Sequence, residues 1–105
     1  MTAATPAPVD PADRIAAAVR AVPGVADLHP GMFGEVGTYL PGRRVPGVRI
    51  TDTTVEVHIT VFFDAPVRDT AAAVRSVVAA QLPGAAVNIT VEDVVRPHPP
   101  DLNRR

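Results

Sequence analysis

The sequence predicts a small α+β domain in which two helices pack on one face of a mainly antiparallel sheet. Two segments place apolar residues at helical spacing, and each is followed by a Pro-Gly pair. Two other segments alternate apolar and polar residues, as half-buried strands do. With two shorter strand-like segments, the predicted order is helix, strand, strand, strand, helix, strand.

The first helix is predicted to begin at Asp10-Pro11, a typical N-cap followed by the residue type that suits the first helical position. Its apolar face then follows at i, i+4 and i+7, namely Ile15, Val19 and Val22. The second helix is predicted to begin near residues 64–66. Its apolar stripe consists of Val67, Ala71, Val74, Val78 and Leu82.

The clearest strand covers residues 54–63. One face is predicted to point to the core and holds Val55, Val57, Ile59, Val61 and Phe63. The opposite face is predicted to point outward and holds Glu56, His58, Thr60 and Phe62. Residues 48–50 precede this strand across a short turn, which predicts a hairpin. Residues 86–95 are predicted to form the last strand, and residues 25–29 are predicted to form a short strand after the first helix.

Residues 30–47 have no clear periodicity and hold five Gly and three Pro. Within them, residues 35–40 have some strand character. Segments of this length are usually functional or mobile. Arg43 and Arg44 follow the Pro41-Gly42 turn and are expected to project from the domain. Together with Phe62, they are the residues that the sequence predicts for an interaction surface.

Residues 1–9 and 96–105 are rich in Pro and polar or small residues and are predicted to be disordered tails. Residues 10–95 are predicted to form the single folded domain. A unit of that size buries a limited core, so self-association into a homo-oligomer is expected to add stability. No basic leader followed by an apolar run is recognised, and no segment is apolar enough for a membrane span, which predicts a cytoplasmic protein without direct membrane insertion.

Residue types argue against several kinds of chemistry. The chain has no Cys and no Lys, which removes a thiolate nucleophile and the lysine of a phosphate-binding loop. Its single Ser, Ser76, falls inside a predicted helix rather than on a strained turn. Asp27 and His29 alternate on a short strand, but no nucleophile accompanies them. We therefore predict a protein that is not an enzyme and has no cofactor.

Nucleic-acid and metal binding are also not expected. The formal net charge is −1, so there is no general attraction to phosphate. The motif at residues 31–34 matches the GxxG of a KH loop, but the flanking basic residues and the following helix are missing. The histidines, His29, His58 and His98, show no metal-ligand spacing.

Several segments carry a resemblance to a known family. Residues 22–28 read VPGVADL, residues 40–50 read LPGRRVPGVRI, and residues 87–94 read VNITVEDV. In order and spacing, and with the strand and helix between them, these segments resemble the alkaline-shock family of envelope stress response proteins. The resemblance covers about residues 12–95. It departs from the family in lacking an N-terminal strand and in having Arg43-Arg44 where the family has a Lys-rich loop.

The resemblance implies a non-enzymatic protein that acts as a self-associating scaffold or interaction module near the cell membrane. It also implies a small membrane-anchor protein as a partner, which would bring a cytoplasmic protein to the membrane. The alternative hypothesis is a regulatory module of ferredoxin-like type that senses a small ligand or metal, with Asp27 and His29 as the residues to test. Nucleic-acid binding through the GxxG motif at residues 31–34 and through Arg43 and Arg44 is a third hypothesis.

Overall fold

The structure is a computed structural model and describes residues 10–96. The predicted tails, except Arg96, lie outside the described residues. The predicted fold class is confirmed: two helices pack against a mainly antiparallel sheet. The helices are α1 (Pro11–Arg20) and α2 (Val67–Gln81). The strands are β1 (Val25–Leu28), β2 (Gly37–Leu40), β3 (Arg43–Pro46), β4 (Val48–Ile50), β5 (Thr54–Phe62) and β6 (Ala86–Val95).

Strand β5 is the centre of the main sheet and is paired along both edges. On one edge, β1 and β4 lie end to end and antiparallel to it, with Leu28 opposite Ile59 and Val48 opposite Val57. On the other edge, β6 runs parallel along its whole length. Parallel neighbours need a long crossover, and α2 supplies it.

Strands β1 and β4 act as two halves of one interrupted edge strand. The backbone N–H of His29 donates to the carbonyl of His58 at 2.8 Å, and the N–H of His58 donates to the carbonyl of Gly47 at 2.9 Å. The ladder along β5 therefore stays continuous where the chain leaves and returns. The excursion between these two points, residues 30–46, is called the insert. It consists of a turn at residues 30–36 and the β2–β3 hairpin.

The core lies between the sheet and the helices. The Asp10 carboxylate accepts a hydrogen bond from the Ala12 N–H at 2.8 Å, which confirms the predicted N-cap of α1. Most predicted inward positions of both helices and of β5 are buried. The largest fully buried side chains are Ile15, Val19, Val48, Val55, Val57, Ile59, Val61, Val74 and Val78.

Two predicted core positions are wrong. Phe63 is 59% exposed and lies under the Arg96 guanidinium, 4.5 Å from its ring centre. Strand β5 ends at Phe62, so the alternation that would direct Phe63 inward stops one residue too early. Val67 is also exposed, because it is the first residue of α2, and Thr70 takes the buried place one turn later.

Gly47 offers a test of the join between β1 and β4. Its φ is +80°, and an added Cβ would lie 2.8 Å from the Leu28 Cβ and 3.0 Å from the His29 backbone. Gly42 has a similar φ of +76° but open space around it. We expect Gly42→Ala to lower the free energy of unfolding by about 1 kcal/mol, from the left-handed backbone alone. Gly47→Ala should lower it by about 3 kcal/mol, since backbone atoms must also move.

Urea denaturation of the two variants measures the difference directly. Equal losses for Gly42→Ala and Gly47→Ala would contradict the close approach of the returning chain to β1.

Candidate functional site

The turn of the insert is closed by its own backbone. The N–H of Val36 donates to the carbonyl of Pro30 at 2.8 Å, and the N–H of Gly34 donates to that of Gly31 at 3.1 Å. The N–H of Gly31 also donates to the Nδ1 atom of the His29 ring at 3.0 Å. These bonds hold the turn in one shape and place residues 32 and 33 at its outermost point.

The Glu35 carboxylate braces the turn from within. It accepts a hydrogen bond from the N–H of Phe33 at 3.0 Å, and an added Cβ on Gly31 would lie 2.8 Å from the carboxyl group. Hydrogen bonds from the N–H groups of Glu35 itself and of Phe33 hold the pKa of this carboxyl below its ordinary value, and the charges of His58 and Arg49 act in the same direction. The carboxylate form is therefore the one that fits the turn.

Two arginines fasten the turn to the strands beside it. The Arg49 guanidinium donates to the carbonyl of Glu35 at 2.6 Å. The Arg44 guanidinium donates to the carbonyls of Gly34 and, at 3.0 Å, of Val36. Arg44 also lies over the ring of Tyr39, 5.4 Å from its centre. Three carbonyl groups of the turn are thus paired with charged donors.

The hairpin of the insert is fixed to the domain by its opposite face. The Thr38 hydroxyl donates to the carbonyl of Val48 at 2.5 Å, and Val45 is buried in the core. The Arg43 guanidinium donates to both carboxylate oxygens of Asp13 on α1, at 2.8 and 2.5 Å. These hydrogen bonds hold the pKa of Asp13 below its ordinary value and raise the pKa of Arg43.

Large apolar side chains remain exposed on this braced insert. Met32 is 78% exposed and Phe33 is 86% exposed. We call these two residues the apolar tip. Tyr39, beside Arg44 on the outer face of the hairpin, is 74% exposed. An apolar group held in water by an ordered backbone is typical of an interaction site, because no packing within residues 10–96 gains from that placement.

The residues that the sequence predicted for an interaction surface, Arg43, Arg44 and Phe62, are not part of the apolar tip. Arg43 and Arg44 begin β3, a strand that the sequence pattern did not reveal, and the Arg43 side chain is 53% exposed although it pairs with Asp13. The alternating faces of β3 direct Arg43 toward Asp13 and Arg44 toward the turn. Phe62 is half-buried at the end of β5. The sequence analysis missed the tip. The signal that could have found it is a pair of large apolar residues, Met32 and Phe33, between two glycines in a segment without periodicity.

The outer face of the sheet holds a polar cluster. The Nδ1 atom of His58 lies 2.5 Å from a carboxylate oxygen of Glu92, and its Nε2 atom lies 3.8 Å from Glu56, which is 3.8 Å from Arg49. Glu92 reaches His58 from an irregularity in the β5–β6 register. Within residues 10–96, no group of three or more His, Asp or Glu side chains is arranged to hold a metal ion.

The residues of the sensing hypothesis have other contacts. Asp27 pairs with Arg20 at 3.1 Å and accepts from the N–H of Leu28 at 2.8 Å. The described residues also form a cleft of about 330 Å³ between the β4–β5 turn and the end of α2, lined by Ile50, Thr51, Asp52, Val55, Leu82, Pro83, Gly84 and Ala85. Asp27 and His29 are not part of it.

No helix in residues 10–96 is long and apolar enough to cross a membrane.

Comparisons with known proteins add little to this picture. No family model and no curated protein matches the chain. One solved structure, a doubly substituted protein described as "MamM CTD", is similar with a TM-score of 0.49 and 14% sequence identity. The match covers 85% of this chain and 95% of that chain.

The bond from Phe33 to Glu35 predicts a pH dependence. Because the folded pKa of Glu35 is lowered, the bond is fully present above the ordinary pKa of a Glu and is lost as pH falls through the lowered value. The amide chemical shift of Phe33, followed by NMR on acidification, should titrate with a midpoint below that of an ordinary Glu. Glu35→Gln should abolish the titration, whereas Glu56→Gln should leave it. A flat Phe33 signal in the wild type would contradict the assigned role of Glu35.

Proposed function

We propose that this chain is a non-enzymatic interaction module, a self-associating scaffold that acts near the cell membrane in the envelope stress response. The observation that carries the interaction role is the apolar tip, Met32 and Phe33, which is exposed on a turn braced by hydrogen bonds. The stress role and the place near the membrane rest on the resemblance of several segments to the alkaline-shock family.

The bracing explains why the tip suits binding. Association costs free energy when loops and side chains must be ordered at the interface. Here the backbone of the turn is already fixed by Glu35, Arg44 and Arg49, so mainly side-chain freedom is lost when a partner binds. Phe and Met side chains gain about 1.5–3 kcal/mol each when they are fully removed from water. Two such side chains side by side fit an apolar groove on a partner protein.

The partner that we propose is a small membrane-anchor protein, as the family resemblance implies. An anchor in the membrane would recruit a cytoplasmic scaffold, and the apolar tip would dock on the part of the anchor outside the lipid. In this proposal the chain does not insert into the membrane itself. The proposal of a non-enzymatic role is supported by the place of Ser76, which lies in the middle of α2, exposed and away from any strained turn.

A photo-crosslinking amino acid at position 33 tests the docking role in cells. We expect a discrete adduct in the membrane fraction, formed with one small protein, because Phe33 is the most exposed of the large apolar side chains in the described residues. Adding Met32→Ser to the same chain should reduce the adduct at least about tenfold, since half of the apolar anchor is lost.

The matched control places the crosslinker at Val67, which is also an exposed apolar residue but lies at the start of α2. Position 67 should give no such adduct. The docking role would be rejected if position 33 gave no adduct with a membrane-fraction protein, or the same adducts as position 67.

A further inference from the structure

Strand β6 leaves one of its edges without a strand partner among the described residues. The N–H of Ala86 donates to the carbonyl of Thr53 at 2.9 Å, at the start of the β5–β6 ladder. Backbone groups of successive strand residues point to opposite edges. Ala86, Asn88 and Thr90 therefore direct their backbone groups to β5, whereas Val87, Ile89 and Val91 direct theirs outward.

Two side-chain contacts support this assignment of edges. At one end of the strand, the Arg75 guanidinium on α2 reaches the outward carbonyl of Val87 at 3.4 Å. At the other end, the Asp93 carboxylate accepts from the outward N–H of Val94 at 2.8 Å. The free edge therefore carries a positive charge near its beginning and a negative charge near its end. Between them, the outward groups of Ile89 and Val91 have no partner within the described residues.

The residues between these charges are self-complementary. Residues 87–91 read Val-Asn-Ile-Thr-Val, so the sequence pattern is nearly the same in both directions around Ile89. When two copies pair antiparallel around Ile89, Val87 of one lies opposite Val91 of the other, and Asn88 lies opposite Thr90. Both polar side chains are exposed on one face, and the three apolar ones pack toward the core on the other. A twofold interface requires this kind of self-matching surface.

The charges favour the same arrangement. Antiparallel pairing brings Arg75 of one copy toward Asp93 of the second copy at both ends of the interface, whereas parallel pairing would bring like charges together. On the flank of α2 that carries Arg75, Ala72 and Ala79 lie three residues before and four residues after it, so small side chains allow close approach of the second copy.

We infer that β6 pairs with β6 of a second copy, antiparallel and centred on Ile89, to form a continuous sheet across a twofold dimer. The interface holds about six backbone hydrogen bonds, because each of the three outward-facing residues pairs with its opposite. Pairing stops at two copies, since the other edge of the sheet is broken by the insert. This inference rests on the self-association in the proposed function and assigns it a surface distinct from the apolar tip.

Charged residues introduced at positions 88 and 90 test the register without changing the core. In Asn88→Lys/Thr90→Lys, like charges face each other twice, and sedimentation velocity should show a dimer dissociation constant raised at least about tenfold. In Asn88→Lys/Thr90→Glu, opposite charges face each other, and the constant should return to within about threefold of the wild type. The wild type should have twice the 11.0 kDa mass of the chain. Urea midpoints of both variants show that the fold is kept.

A second pair of variants tests the proposed pairing of Arg75 in one copy with Asp93 in the other. Arg75→Glu and Asp93→Arg should each weaken the dimer, and the double variant should restore it. If Asn88→Lys/Thr90→Lys and Asn88→Lys/Thr90→Glu both dimerise like the wild type, self-association stands but the β6 interface is wrong. If these two variants weaken the dimer equally, the register around Ile89 is wrong. A strictly monomeric wild type would overturn the dimer and the self-associating role together, while the adduct from position 33 would still decide the docking role.

Discussion

Strand β5 directs its backbone hydrogen-bonding groups alternately to two edges, and the positions of β1, β4 and β6 depend on those two ladders. Its inward side chains, from Val55 to Val61, are fully buried under the helices. A strand that is buried on one face and paired on both edges leaves little freedom for the chain around it. The insert and the free edge of β6 are both consequences of how those two ladders are completed.

On one edge, the ladder is completed by two separate strands that meet at His58. His29 and Gly47 bond to the two backbone groups of that residue, so the insert leaves and returns at a single rung. Anchoring both ends of a loop at one rung limits its motion. Arg43, Arg44 and Arg49 then bind the insert to α1, to its own turn and to β4. The apolar tip is therefore presented by a scaffold that was expected, from composition alone, to be the least regular part of the chain.

The sequence predicted those helices and strands whose own apolar residues recur at helical or alternating spacing. α1, β5 and β6 have apolar residues at helical or alternating spacing, and Asp10 marks a helix start by a local bond. The strand β3 was missed because Arg43 and Arg44 are held by contacts with Asp13 and with the turn, which are distant or irregular in sequence. Likewise, the exposure of Phe33 depends on bonds made by the side chains of Glu35, Arg44 and Arg49. Such contacts have no period from which they can be predicted.

Rigidity of the insert is the central claim, because docking through the apolar tip depends on a backbone that is ordered before binding. NMR relaxation of the backbone amides measures this order directly. Residues 31–36 should have order parameters of about 0.85, like those of β5, because the turn is braced by backbone, carboxylate and guanidinium bonds. Values below about 0.6 in this segment would contradict the account, since they are typical of a flexible loop.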